Sequence, residues 1–134
     1  MKPLKISVWN ANGLCNHVHD LELFLKEKHV DVMMISETHF TQKSFIRLKG
    51  YTIYTTNHPA GRARGGTAVI IKNVIKHSTK TPFQTPSIQA TSIEVACDYG
   101  IQSRITTHIR IPQMRDPHMS CYAGLDALVA QCNK

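Results

Sequence analysis

Between Glu37 and Glu94 the chain contains no aspartate or glutamate, yet Lys43, Arg47, Lys49, Arg62, Arg64, Lys72, Lys76 and Lys80 all fall in that interval. A one-sign stretch of this kind argues against a cationic partner and favours a polyanion, because each Lys or Arg that meets a phosphate releases condensed counterions. Cysteine is sparse: Cys15, Cys97, Cys121 and Cys132 show no Cys-x-x-Cys spacing, which excludes a zinc ribbon or a redox pair of the usual pattern. Reduced thiols are expected. Cys15, His17 and His19 lie close in sequence, but on a strand-to-helix turn they diverge, so no metal is assigned to them. There is no long apolar run and no cleavable leader pattern. A soluble intracellular protein, cytoplasmic or nuclear and without a membrane association, is therefore expected. Internal repeats, low-complexity segments and linkers are also missing, so residues 1–134 read as part of one domain, and 42% hydrophobic residues suffice for a core.

What is present is an alternation of strands and a helix. Leu4 to Trp9 reads as a first strand, ended by the turn chemistry of Asn12-Gly13. A helix over Val18 to Lys28 follows, with Asn16 as the expected N-cap and Val18, Leu21, Phe24 and Leu25 as its apolar stripe. Val30 to Ser36 is a near-continuous apolar run, the pattern of a strand covered on both faces, and strand, helix, strand implies a parallel pair joined by a crossover. Tyr51 to Thr56 and Thr67 to Ile71 alternate as strands do, joined by a basic hairpin loop from Asn57 to Gly66. Shorter strands are expected at Ile75 to Thr79, Ile88 to Ala96 and Arg104 to Ile109, with a tight turn at Asp98-Tyr99-Gly100 and a helix beginning near Pro117.

The crossover puts Asn10 and Glu37, which follow the first and second strands, at the same sheet edge. Strand carboxyl ends are where open α/β sheets bind ligands. An amide and a carboxylate there offer oxygen donors for a hard cation such as Mg²⁺ beside a phosphate.

Three segments in order, Trp9-Asn10-Ala11-Asn12-Gly13-Leu14, Ile35-Ser36-Glu37-Thr38-His39 and Gly65-Gly66-Thr67-Ala68-Val69-Ile70-Ile71, resemble the endonuclease/exonuclease/phosphatase superfamily. That superfamily includes DNase I and the apurinic/apyrimidinic endonucleases. Within it the chain resembles the endonuclease domain that opens the polyprotein of non-LTR, jockey-like retrotransposons. The resemblance runs from about residue 4 to 96 and fades after about 105. It implies a DNase I-like α/β sandwich, with Glu37 as a ligand of Mg²⁺ (Mn²⁺ as a substitute) and Asn10 as a holder of metal-bound water and phosphate. It further implies Thr38 and His39 as supports of that carboxylate, and Arg62, Arg64 and Lys72 as phosphate contacts to DNA. Gly65 and Gly66 serve turn geometry rather than phosphate cradling.

The departures from the family pattern also carry information. Where relatives have a Tyr and a Pro pair, this chain has Thr107-His108-Ile109-Arg110-Ile111-Pro112, and no Gly-Asp-x-Asn or Ser-Asp-His follows. The expectation is a fragment or degenerate copy of a Mg²⁺-dependent retrotransposon endonuclease that nicks DNA, inactive as this chain, with apolar sheet surface left for the rest of a polyprotein. The alternatives are a non-catalytic nucleic-acid-binding module and a phosphomonoesterase of the same superfamily.

Overall fold

A computed structural model describes residues 3–96 in full and the backbone of residues 102–110. Two sheets lie face to face with a helix outside the first. The first sheet has the order β1 (Ile6–Asn10), β2 (Val32–Ser36), β4 (Thr67–Lys72), β3 (Tyr51–Thr56). In the second, β7 (Ile88–Ala96) pairs with β5 (His77–Thr79), β6 (Phe83–Gln84) and β8 (Gln102–Arg110), all antiparallel. The helix, α1 (Val18–Lys28), makes the crossover between β1 and β2, which pair in parallel as expected.

Side-chain alternation sorts the core into two layers. From β2 and β4, Met33, Ile35, Ala68 and Ile70 point to one face and join Leu21 and Leu25 of α1 with Phe40 and Leu48. Val32, Met34, Val69 and Ile71 point to the other and meet Ile93 and Val95 of β7. Every residue of β2 is buried, which is why its sequence is apolar without alternation, whereas β7, covered on one face, buries Gln89, Thr91, Ile93 and Val95 at a period of two. Burial of Leu21 and Leu25 stabilises the helix by about 2 kcal/mol each.

Several expectations are corrected. The first strand begins at Ile6 rather than Leu4 and includes Asn10. Asn16 is not the N-cap of α1: Gly13, at φ 98°, opens a short 3-10 turn over Leu14–Asn16, and the helix is entered one residue later at His17, with no side-chain cap. The second strand begins at Val32, because Asp31 accepts the Lys5 N–H on one carboxylate oxygen and pairs with Lys72 through the other. Residues 73–76 form a turn that delays β5 to His77, and β6 was not foreseen. The Asp98 to Gly100 turn and the helix near Pro117 lie outside the described residues. No helix among the described residues is long and apolar enough to cross a membrane.

Candidate active site at the carboxyl edge of the parallel pair

The register of the parallel pair sets Asn10 beside Ser36, so Glu37 is the next residue out on the neighbouring strand. Adjacent strands lie about 4.8 Å apart, which brings the two residues to one edge. Asn10 is exposed, and its Oδ1 accepts the Asn12 N–H at 3.1 Å. That bond holds the amide and leaves a second lone pair on the same oxygen. Glu37 is half-buried, and no ion pair involves it among the described residues.

Glu37 adopts φ 53° and His39 φ 54°, the left-handed region that L-residues enter at a cost of about 1–2 kcal/mol each. Backbone bonds on both sides hold them there. Gly13 and Leu14 donate to the Glu37 and Thr38 carbonyls, each at 2.9 Å. From the other side, Thr38 and His39 donate to the carbonyls of Gly66 and Gly65, at 3.2 and 2.9 Å. The carboxylate is thus mounted on a backbone laced between the exit of β1 and the glycine pair before β4.

The glycine pair is itself fixed from the second sheet. Buried Gln89 of β7 accepts the Gly66 N–H on its Oε1 at 3.1 Å and donates through Nε2 to the Thr85 carbonyl at 2.7 Å. Beside it the Thr91 hydroxyl bonds those of Thr56 and Thr67 at 2.8 and 2.9 Å, joining the two sheets through polar groups below the site. Sequence reading missed Gln89 and Thr91; the one available signal was their place on the inward period of a strand.

Thr38 is buried under Gly66, its hydroxyl 3.5 Å from the Phe40 N–H, and His39 lies over Gly13, so neither bonds the carboxylate. They shape the turn that carries it. Arg62 and Arg64 are exposed on the hairpin loop that ends in Gly65 and Gly66, so they share the edge with Glu37. Lys72 does not. It closes β4 roughly 17 Å along the strand from Thr67, and its ammonium lies 3.2 Å from Asp31 at the opposite edge.

For a divalent cation the donor set is chemically suitable: one carboxylate and one amide oxygen, both hard ligands. Among the described residues no cluster of three or more His, Cys, Asp or Glu completes a shell.

The chain is thus a layered α/β fold with an amide and a carboxylate at the ends of adjacent parallel strands. The chain belongs to the Endonuclease/Exonuclease/phosphatase family, which it matches over residues 7–130. It is 41% identical over 97 residues to the RNA-directed DNA polymerase from mobile element jockey of Drosophila melanogaster, covering 72% of this chain and 11% of that protein. To the probable RNA-directed DNA polymerase from transposon X-element of the same species it is 40% identical over 90 residues, covering 66% and 10%. The chain therefore spans about a tenth of the length of these relatives. Among solved structures it resembles the catalytic domain of Xenopus laevis APE2, with a TM-score of 0.56 at 16% identity, covering 85% of this chain and 46% of that one. The AP endonuclease LMAP from Leishmania major gives 0.57 at 18%, covering 81% and 40%. The fold is DNase I-like.

Proposed function

We propose that the chain is the amino-terminal portion of one retrotransposon endonuclease domain, built to hydrolyse a DNA phosphodiester with a divalent metal, Mg²⁺ by preference. The observation that carries this is the parallel register that brings Asn10 beside the Glu37 turn. Glu37 and Asn10 are the residues that would hold the ion. A bound metal supplies charge stabilisation at the phosphodiester and its leaving oxygen. The Asn10 amide N–H positions a phosphate oxygen at the sheet edge. Arg62 and Arg64 grip flanking phosphates without reading bases.

Cutting is not completed by these 134 residues, because no Gly-Asp-x-Asn or Ser-Asp-His occurs in them. Groups that act as one catalytic unit lose most of their effect when a member is absent. That same observation favours a second reading, a non-catalytic nucleic-acid-binding module.

Nicking of supercoiled plasmid in Mg²⁺ or Mn²⁺ tests the proposal. The purified chain is expected to bind DNA without nicking it. Fused to the remainder of a jockey-type endonuclease domain it is expected to nick, and Glu37→Ala to abolish the activity. A fusion that stays inactive while binding DNA would favour the binding module. Nicking by the chain alone that disappears in Glu37→Ala would show that the described half suffices.

A further inference from the structure

Directly after the Glu37 turn, the chain crosses the helix-side face of the first sheet without forming a regular element. Its side chains nonetheless alternate. Lys43, Phe45, Arg47 and Lys49 are exposed, while Ile46 packs against the core and Leu48 is buried in it. Phe45 is 75% exposed, between two cations at i−2 and i+2. Lys43 lies in the turn that precedes Phe45, and Arg47 follows it by two residues, about 6.8 Å in extended chain.

The segment is anchored. Phe40 and Leu48 are buried at its two ends, and a turn fixes its start, where Thr41 N–H donates to the Ser44 Oγ at 3.0 Å and Lys43 N–H to the Thr41 Oγ1 at 3.3 Å. No ion pair among the described residues involves Lys43, Arg47 or Lys49. A polar groove of about 290 Å³ opens at Thr41 and Gln42 and is walled by Asn57, His58 and Gln84. The Asn57 Oδ1 in that wall is shut from water and has no hydrogen-bond donor among the described residues.

Cations alone fit any polyanion. The phenyl ring narrows the choice, because a ring with most of its surface in water adds little to this core and gains from stacking on an unpaired base. A duplex keeps its bases stacked inside and offers Phe45 no face. We propose that Lys43, Phe45 and Arg47 form a track for unpaired nucleic acid, with one base on Phe45 and flanking phosphates at the two cations. The inference rests on the nucleic-acid reading of the neighbouring edge and adds a preference for a melted or single strand beside it.

Fluorescence anisotropy of the full chain with labelled oligo-dT, oligo-rU and a hairpin duplex decides it. Phe45→Ala is expected to weaken binding of the unpaired oligonucleotides about tenfold and to leave the duplex unchanged. Phe45→Trp should retain the affinity, and its added fluorescence should be quenched by the unpaired strand. Replacing Lys43 and Arg47 by Ala should lower the single-strand salt slope by about 0.7 for each phosphate left without its cation. Because Phe45 is exposed, circular dichroism of Phe45→Ala should match the parent. Equal losses on duplex and single strand would overturn the track, and an unchanged affinity would assign Phe45 to a protein contact instead. If the parent binds neither form, the nucleic-acid reading of the whole edge fails with it. Duplex binding with Phe45-independent single-strand binding would remove this inference alone. A loss confined to oligo-rU or to oligo-dT would identify which strand the track takes.

Discussion

Gly66 lies so close to Thr38 that a β-carbon on it would stand 2.5 Å from the Thr38 Oγ1. Gly66 is also at φ 82°, so alanine there meets both a steric and a backbone penalty. Gly66→Ala is expected to cost about 2–4 kcal/mol in urea unfolding. Combining it with Thr38→Ala removes the contacting oxygen but not the φ strain. The double variant should therefore lose roughly 1 kcal/mol less than the sum of the singles. Strict additivity would mean that the two residues do not touch.

Ser36 and Thr91 are both buried hydroxyl residues in the inter-sheet layer, with opposite expectations. The Ser36 Oγ has no hydrogen-bond partner among the described residues, whereas the Thr91 hydroxyl bonds those of both Thr56 and Thr67. An unpaired buried hydroxyl is a liability, so Ser36→Ala should be neutral or slightly stabilising in denaturant unfolding. Thr91→Val leaves the Thr67 hydroxyl short of a partner, while the Thr56 hydroxyl keeps the Ala90 carbonyl, and should cost about 1–3 kcal/mol. A clear loss at Ser36 would reveal a partner for its hydroxyl.

How much of this was legible in the sequence depends on the range of the physics involved. The burial of β2 on both faces is local, written as an apolar run from Val32 to Ile35, and with it came the parallel pairing that sets Asn10 beside Ser36, the residue before Glu37. The entry to α1 was misread because the 3-10 turn at Leu14–Asn16 depends on Gly13 adopting φ 98°, which an Asn-Gly pair permits but does not fix. The left-handed Glu37 was invisible for a stronger reason. Glutamate avoids that region on its own, and it is imposed by N–H bonds from Gly13 and Leu14 to the Glu37 and Thr38 carbonyls and by bonds from Thr38 and His39 to the Gly66 and Gly65 carbonyls. Gln89 supports Gly66 across 23 positions, and no local pattern encodes such a pairing. Lys72 looked like one more cation in a basic stretch until the fold placed it against Asp31.

Tyr51 gives a pH prediction. Its hydroxyl donates to the Val30 carbonyl at 2.7 Å. Burial raises its pKa above the usual 10.0, Asp31 adds to that shift, and Lys72 opposes it. A raised folded pKa contributes stability that is fully present below the unfolded value and is lost as pH rises through the folded one. The fold should therefore weaken above about pH 10. Tyr51→Phe should cost about 1 kcal/mol at neutral pH through removal of the hydrogen bond. The difference between parent and variant should shrink as pH rises, which isolates the part of the alkaline loss that belongs to Tyr51. A constant difference across that range would show that Tyr51 does not contribute to the alkaline loss.

The basic residues should separate by salt dependence. Arg62 and Arg64 are exposed on the loop beside the Glu37 turn, and no carboxylate among the described residues pairs with them. Lys72 sits at the far end of β4, paired with Asp31. If the loop holds duplex phosphates, each arginine replaced by alanine should lower the slope of log K against log salt by about 0.9. Lys72→Ala should leave that slope alone. Its effect should fall on stability, by about 0.5–1 kcal/mol, because the ion pair is partly solvated and also ties down the chain before β2. Measuring slope and stability on the same three variants makes the two roles distinguishable. A slope that falls with Lys72→Ala and not with the arginines would move the nucleic-acid surface to the opposite edge of the sheet, away from Asn10 and Glu37, and would remove the phosphate-gripping role assigned to the loop.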